Sequence, residues 1–244
     1  MDSQFQKKTI KVPYKTTEQH LEVFYRPLWD WAMDLLQDVH LAPYFTWDAQ
    51  KLYKFNGTSF VRFYHEPWTA RRFWEVQVNF NYSTWARVMI FGFGCINFFK
   101  SGLPPGGKPL CFILYADKTK LSSFGTTKGY PVMARLGNLP VDIHNGNGVG
   151  GGRVVGWLPI VHPTETWRFV WLLLQPFQIP EDAGESGKPA FINFKRVVWH
   201  ESFYKLLESI SSFSKTGCWV ECADFIRRWL FPLILILSAD YEEQ

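Results

Sequence analysis

The rhythm of apolar and polar positions changes several times along the chain, and each change marks an element. Leu110 to Tyr115 is a continuous apolar run, preceded by the breaker Pro104-Pro105-Gly106-Gly107 and followed by Asp117, Lys118 and Thr119. A short apolar run bounded by turn residues predicts a buried strand. Tyr130 to Leu136 and Arg153 to Pro159 predict two more strands, and connections as short as theirs predict antiparallel neighbours. Phe191 to Phe213 changes to helical spacing. Phe194, Val197, Val198, Phe203, Leu206, Leu207 and Ile210 supply the apolar face, and Lys195, Arg196, Glu201, Lys205 and Glu208 the wet one. His200, in mid-helix, reads as a satisfied, partly buried histidine rather than a ligand. Leu230 to Asp240 (LFPLILILSAD) predicts a fourth strand. A right-handed crossover through the helix would lay it beside the first, and parallel to it.

Upstream, Met1 to Pro13 is polar and basic and reads as loose chain. Thr17 to Val39 reads as a helix, because Leu21, Phe24, Leu28, Trp31, Leu35 and Leu36 recur every three or four residues; Pro27 predicts a kink or a fresh start. Two alternating pieces, KLYKF and SFVRFYHE, flank Asn56-Gly57 and predict a hairpin. The aromatics from Phe45 to Trp74 are open to two readings. They can stack on nucleic-acid bases, or they can form the core of a small packed subdomain, which is the favoured reading. Asn145 to Gly152 (NGNGVGGG) lacks the Gly-Lys-Ser/Thr of a phosphate-binding P-loop and reads as a flexible connection. Val78 to Gly102 and His162 to Pro180 are apolar without a period. The expected organisation is an N-terminal helical and aromatic-rich region over residues 1–102, holding the odd segment 78–102. A second region follows over residues 103–244, holding the odd segment 162–180.

Composition narrows the picture modestly. The 244 residues are 47% hydrophobic and 18% aromatic, enough for a sizeable core. A formal net charge of +4 and a pI near 8.8 permit a nucleic-acid partner without demanding one. No stretch is apolar over the roughly 18 residues that a membrane-crossing helix needs, and the polar, basic start has no apolar signal-peptide core. Cys95 and Cys111 read as buried thiols. Cys218 and Cys222 could share a helix face but make a poor zinc site without further ligands, so a reducing intracellular compartment fits.

The candidate chemistry sits at two strand ends. Asp117 follows one apolar strand and Asp240 closes another, each after an alanine. Alone, Asp117 could simply cap a turn. Two such strands side by side would bring the carboxylates together, and paired carboxylates repel unless a cation lies between them. Oxygen-only ligands suit Mg²⁺ or Mn²⁺. Lys118, Lys120, Lys128, Arg135 and Arg153 could contact phosphates weakly; an ordinary solvated face is the favoured reading of the same cations.

Four stretches carry a resemblance: ADKTKLSSFGTTKGYPVMARLGNLP, GGGRVVGWLPIV, FKRVVWHESFYKLLE and ILILSADYEEQ, with LAPYF and HEPWTARRFWEVQ upstream. Together they resemble the fungal Plavaka-type transposases, DDE enzymes related to the CACTA group. The resemblance implies an α/β (α+β) fold, with an incomplete ribonuclease H-like mixed sheet, flanking helices and a small helical and hairpin region before it. It implies Asp117 and Asp240 as the first two catalytic, metal-binding acids, Mg²⁺ or Mn²⁺ as cofactor, DNA as partner and a nuclear location. The family continues beyond the position of Gln244 to a further strand and a third acid. The expectation is therefore a transposase remnant that binds metal weakly and does not cut DNA, with the Asp240 strand at the sheet edge. A DNA-binding or interaction module adopted from a transposon, or a decayed reading frame, is the alternative. The two odd segments have no counterpart in the family and are expected to lie outside the sheet.

Overall fold

The computed structural model describes residues 4–78, 103–121, 128–161 and 188–239. Its first segment is strand, not loose chain. β1 (Gln6–Tyr14) and β2 (Thr17–Tyr25) pair antiparallel over their whole length around a turn in which Lys15 takes a positive φ of 54°. The helix expected from Thr17 begins only after Pro27, as α1 (Leu28–Leu36). The helical spacing had joined residues from two different elements. Along β2, Val23 and Tyr25 are buried while Glu18, Glu22 and Phe24 point outward, a period of two. Ile10 and Val12 of β1 are buried beside them, and the ion pairs Lys7–Glu22 (2.6 Å) and Lys11–Glu18 (3.5 Å) cross the hairpin's wet face. A lysine-rich edge strand is also poor at recruiting another chain.

The Asn56-Gly57 hairpin forms as predicted, as β3 (Leu52–Phe55) and β4 (Phe60–Phe63), a separate two-stranded sheet. α2 (Arg71–Val78) follows a short 3₁₀ turn at Pro67–Thr69. The central strands come next. β5 (Gly107–Ala116) leads into the small pair β6 (Thr119–Lys120) and β7 (Lys128–Gly129), then β8 (Pro131–Leu136), the one-turn helix α3 (Val141–His144) and β9 (Arg153–Trp157). β5, β8 and β9 are antiparallel neighbours, as the short connections required. α4 (Pro189–Ser211) opens on a proline, tolerated in a first helical turn, and is followed by the four-residue α5 (Phe213–Thr216), β10 (Cys218–Glu221) and β11 (Arg227–Ala239). Cys218 and Cys222 are therefore at a strand and just beyond it, not on a helix. Gly217 turns the chain with φ 69°; a Cβ there would lie 2.2 Å from the Trp229 indole nitrogen, so no other residue fits.

The mixed sheet has seven strands in the order β1–β2–β9–β8–β5–β11–β10, and with the helices makes a mixed α+β fold. β11 runs parallel to β5 and beside it, as the crossover predicted. It is not a bare edge strand, because β10 pairs with its first four residues, Arg227 to Leu230. After the turn at Gly217 the chain runs into this extra strand. Pro232, which has no N–H to offer, lies just past the last β10 pair.

Two cores sandwich the sheet. On one face, α4 lays Phe194, Val198, Phe203, Leu206 and Ile210 against Leu110, Phe112, Leu114, Val132 and Ala134, with α1 joining the same cluster. Tyr14 stacks on Phe194 at 4.4 Å, and the Trp199 indole donates to the Tyr130 hydroxyl at 3.0 Å. On the other face, Trp68, Phe73 and Val76 cover Cys111, Phe231 and Leu233. Asn138, in the turn after β8, locks the fully buried end of β5. Its carbonyl accepts from the Cys111 N–H at 2.8 Å, and its amide donates to the Pro109 and Thr46 carbonyls at 2.9 and 3.0 Å. The aromatics from Phe45 to Trp74 divide accordingly: Trp68 and Phe73 are core, while Tyr53, Phe55, Phe60, Phe63 and Tyr64 are exposed. Residues 79–102 and 162–187, which include nearly all of both odd segments, lie outside the described residues.

Candidate metal and nucleic-acid site

β5 and β11 are adjacent because both are apolar enough to be buried on two faces, and parallel because α4 returns the chain to the same end of the sheet. Their ladder is regular from Trp229↔Gly107 to Ile234↔Phe112, then irregular, then regular from Ile236↔Ile113 to Ala239↔Ala116. The irregularity is a one-residue bulge at Leu235, and its consequence is a change of phase. An unbroken ladder from Ile234↔Phe112 would carry position 240 to 118. With the bulge, the residues that follow the last pair in the two sequences are Asp240 and Asp117. Bulges commonly re-aim side chains next to sites.

Burial agrees with this phase. Leu114, Ala116, Leu237 and Ala239 all join the cluster under α4. Tyr115 and Ile236 belong to the opposite face and are 49% and 51% exposed. Asp117 is half-buried, and the Tyr115 hydroxyl donates to its Oδ2 at 2.8 Å. That hydrogen bond, two residues along one strand, fixes the orientation of the carboxylate. The spacing Tyr-Ala-Asp is its only signal in the sequence. Asp240 lies outside the described residues.

The five candidate cations do not form one cluster. Lys118 directly follows Asp117 and extends its ammonium to 5.5 Å from the centre of the Tyr130 ring. Lys120 and Lys128 face each other across the β6–β7 pair that continues from this strand end. Like charges opposite one another weaken a pair unless an anion joins them. Arg135 pairs with Ile113, well back from the strand end, and Arg153 opens β9, where its guanidinium donates to the Gly148 carbonyl at 3.2 Å. Arg153 thus braces the glycine-rich loop.

Other titratable groups are structural. Burial pushes the Cys111 thiol well up, and that of Cys222 upward too. Arg228 donates twice to Asp224, at 2.7 and 2.5 Å, clamping the β10–β11 turn and holding the Asp224 carboxyl below its usual range. His144 is buried; its Nδ1 donates to the Leu139 carbonyl at 3.1 Å, and burial lowers its pKa. His200 is half-buried and meets Trp199 edge-on, in keeping with a packed histidine. Among the described residues, no group of three or more His, Cys, Asp or Glu stands together as a metal site, and no helix is long and apolar enough to cross a membrane.

Compared with known proteins, the chain matches the family model described as Plavaka transposase over residues 100–244. No curated protein and no solved structure matches it.

Proposed function

The chain belongs to the Plavaka transposase family, and from that premise we propose that residues 103–244 derive from a ribonuclease H-like DDE core whose Asp117 and Asp240 share one divalent cation. The observation that supports this reading is the parallel β5–β11 ladder, whose last pair, Ala239↔Ala116, immediately precedes Asp240 and Asp117 in the sequence. The donor set fits the cation. Two carboxylates at the open end of a sheet offer hard oxygen ligands, as Mg²⁺ and Mn²⁺ require, with water completing the shell. In a transposase such a metal supplies charge stabilisation at a phosphodiester. The residues of this chain contribute the positioning. Tyr115 holds the Asp117 carboxylate, Leu235 sets the phase of β11, and Lys118, Lys120 and Lys128 offer charge to a phosphate backbone beside it.

A non-catalytic DNA-binding role is the form of this reading we favour. Lys120 and Lys128, opposite one another on β6 and β7, bring positive charge to the strand end that carries Asp117, and two carboxylates alone hold a cation loosely. A nuclear location follows if chromosomal DNA is the target. The test is incubation of the purified chain with labelled duplex DNA and Mn²⁺, beside Asp117→Ala. The expected result is salt-sensitive binding and no cut product from either protein. Cleavage by the wild type that disappears in Asp117→Ala would overturn the non-catalytic reading, and absence of DNA binding at low salt would overturn both forms.

A further inference from the structure

Among the described residues, the β3–β4 hairpin is a separate two-stranded sheet whose residues join neither core. Cross-strand pairs place Tyr53 opposite Arg62 and Phe55 opposite Phe60, all four on one face, since side chains alternate along each strand. Phe55 and Phe60 lie 5.3 Å apart, centre to centre. The Arg62 guanidinium lies 5.0 Å from the centre of the Tyr64 ring. The result is a row of aromatic rings with a cation among them. Phe60, at the tip, is 73% exposed, and Tyr53, Phe55 and Tyr64 are each more than half exposed.

The hairpin is held firmly enough to present that row. At its tip, Asn56 Oδ1 accepts from the Thr58 and Ser59 N–H groups at 3.0 and 2.9 Å, and the Asn56 N–H donates to the Ser59 carbonyl. At its root, Arg62 donates to the Thr69 carbonyl at 3.2 Å and the His65 N–H donates to the Thr69 hydroxyl at 3.0 Å. Glu66 accepts from the Val141 N–H, which ties the root to α3. A two-stranded sheet with exposed rings on a fixed stem would be a poor way to build a core, and a patch of this kind marks a binding surface.

Charge selects the partner. Residues 49–65 hold Lys51, Lys54 and Arg62 and no Asp or Glu. A second copy of the chain meeting the same face would set Arg62 against its equivalent, while Lys54 lies on the reverse face of the same ribbon. An anionic partner with flat apolar surfaces satisfies both features at once, and unpaired nucleotides have that chemistry. Aromatic rings stack on any base, while lysine and arginine follow the phosphates. In a duplex those base faces are already occupied by neighbouring bases. We propose that the β3–β4 hairpin is a stacking platform for unpaired DNA bases, an assignment that rests on the reading of this chain as a DNA-handling protein.

The experiment measures fluorescence anisotropy of labelled oligothymidine and of a labelled duplex with the full chain over a range of salt concentrations. It compares wild type, Phe55→Ala/Phe60→Ala and Lys54→Gln. The proposal expects the double aromatic variant to lose at least about tenfold in affinity for oligothymidine with duplex affinity and thermal midpoint unchanged. Lys54→Gln is expected to flatten the salt dependence. Duplex binding without oligothymidine binding, or oligothymidine binding indifferent to both phenylalanines, would overturn the hairpin assignment and leave the DNA reading intact. Loss of binding to both DNAs in the wild type would end both. Self-association that the double variant abolishes, with no change in DNA binding, would reassign the face to contact between copies.

Discussion

The β5–β11 pair differs at its two ends, although the same two strands supply both. At the Gly107 end, the face turned away from α4 is sealed: Trp68, Phe73 and Val76 lie over Cys111, Phe231 and Leu233. At the Ala116 end the same face carries Tyr115, Ile236 and Ser238, all exposed. The first end is covered because α2 delivers an apolar stripe to it. The second is left to solvent, and there the chain places Asp117 and three lysines. In sheets of this kind, ligands gather where strands run out at their carboxyl ends. Stability and candidate chemistry are thus divided along a single strand pair, and substitutions at the two ends should have different signatures.

The largest expected effect is at the sealed end. Phe73→Ala should destabilise by about 3–5 kcal/mol, since it removes a fully buried ring that α2 cannot collapse to replace. Urea denaturation would measure this. Tyr115→Phe at the open end, which deletes one exposed hydroxyl, should change stability by less than about 0.5 kcal/mol. Similar effects from the two substitutions would break the comparison.

Asn138→Ala should come next, at about 2–4 kcal/mol, because it strands the buried Cys111 N–H and leaves the Pro109 carbonyl short of its donor. A change within about 0.5 kcal/mol in the same denaturation series would show that water replaces the side chain.

The acid response should be smaller. The Asp224 pKa is depressed in the folded protein, chiefly by its hydrogen bonds to Arg228. The unfolded chain therefore binds the proton more readily. The contribution is complete above the unfolded value, near 3.9, and is lost as pH falls through the lower folded value. Asp224→Asn should flatten that acid limb, measured as the midpoint of urea unfolding against pH. His144 has the same sign in a higher window. Burial lowers its folded pKa, so its contribution is present above about 6.5 and declines as pH falls below it. His144→Gln should remove that slope.

The smallest effect belongs to the open end. Lys120→Thr separates the facing cations and should stabilise the β6–β7 pair by a few tenths of a kcal/mol at low salt, about 0.3, while weakening duplex binding. Anisotropy at two salt concentrations would check this. Stabilisation without any loss of binding would mark these lysines as an ordinary wet face.

What the sequence made legible follows from how local each signal is. β5, β8 and β9 were readable because each is a short apolar run between breakers, and the long helix because its apolar stripe persists over twenty-three residues. The hairpin at Asn56-Gly57 was readable from its turn chemistry. β1 was missed because a charged edge strand has no apolar run, and β2 because residues at strand spacing matched a helical period once α1 was counted with them. β10 is four residues long and shows itself only through pairing. At the candidate site, Asp117 could be singled out as a strand-terminal acid. The bulge at Leu235 could not, because LILIL alternates identically in sequence whether or not one residue is left unpaired. Exposure of the hairpin aromatics depends on which neighbours arrive to cover them, which no local pattern encodes.

The central claim is that Asp117 and Asp240 act as one site. It is tested most directly by titrating Mn²⁺ into the wild type, Asp117→Asn, Asp240→Asn and the double variant, with free Mn²⁺ followed by electron paramagnetic resonance. If both carboxylates share one cation, each single substitution should remove most of the affinity and the double variant should be little worse than either, a strong departure from additivity. Additive losses, or a wild type that binds no more Mn²⁺ than the double variant, would contradict the account.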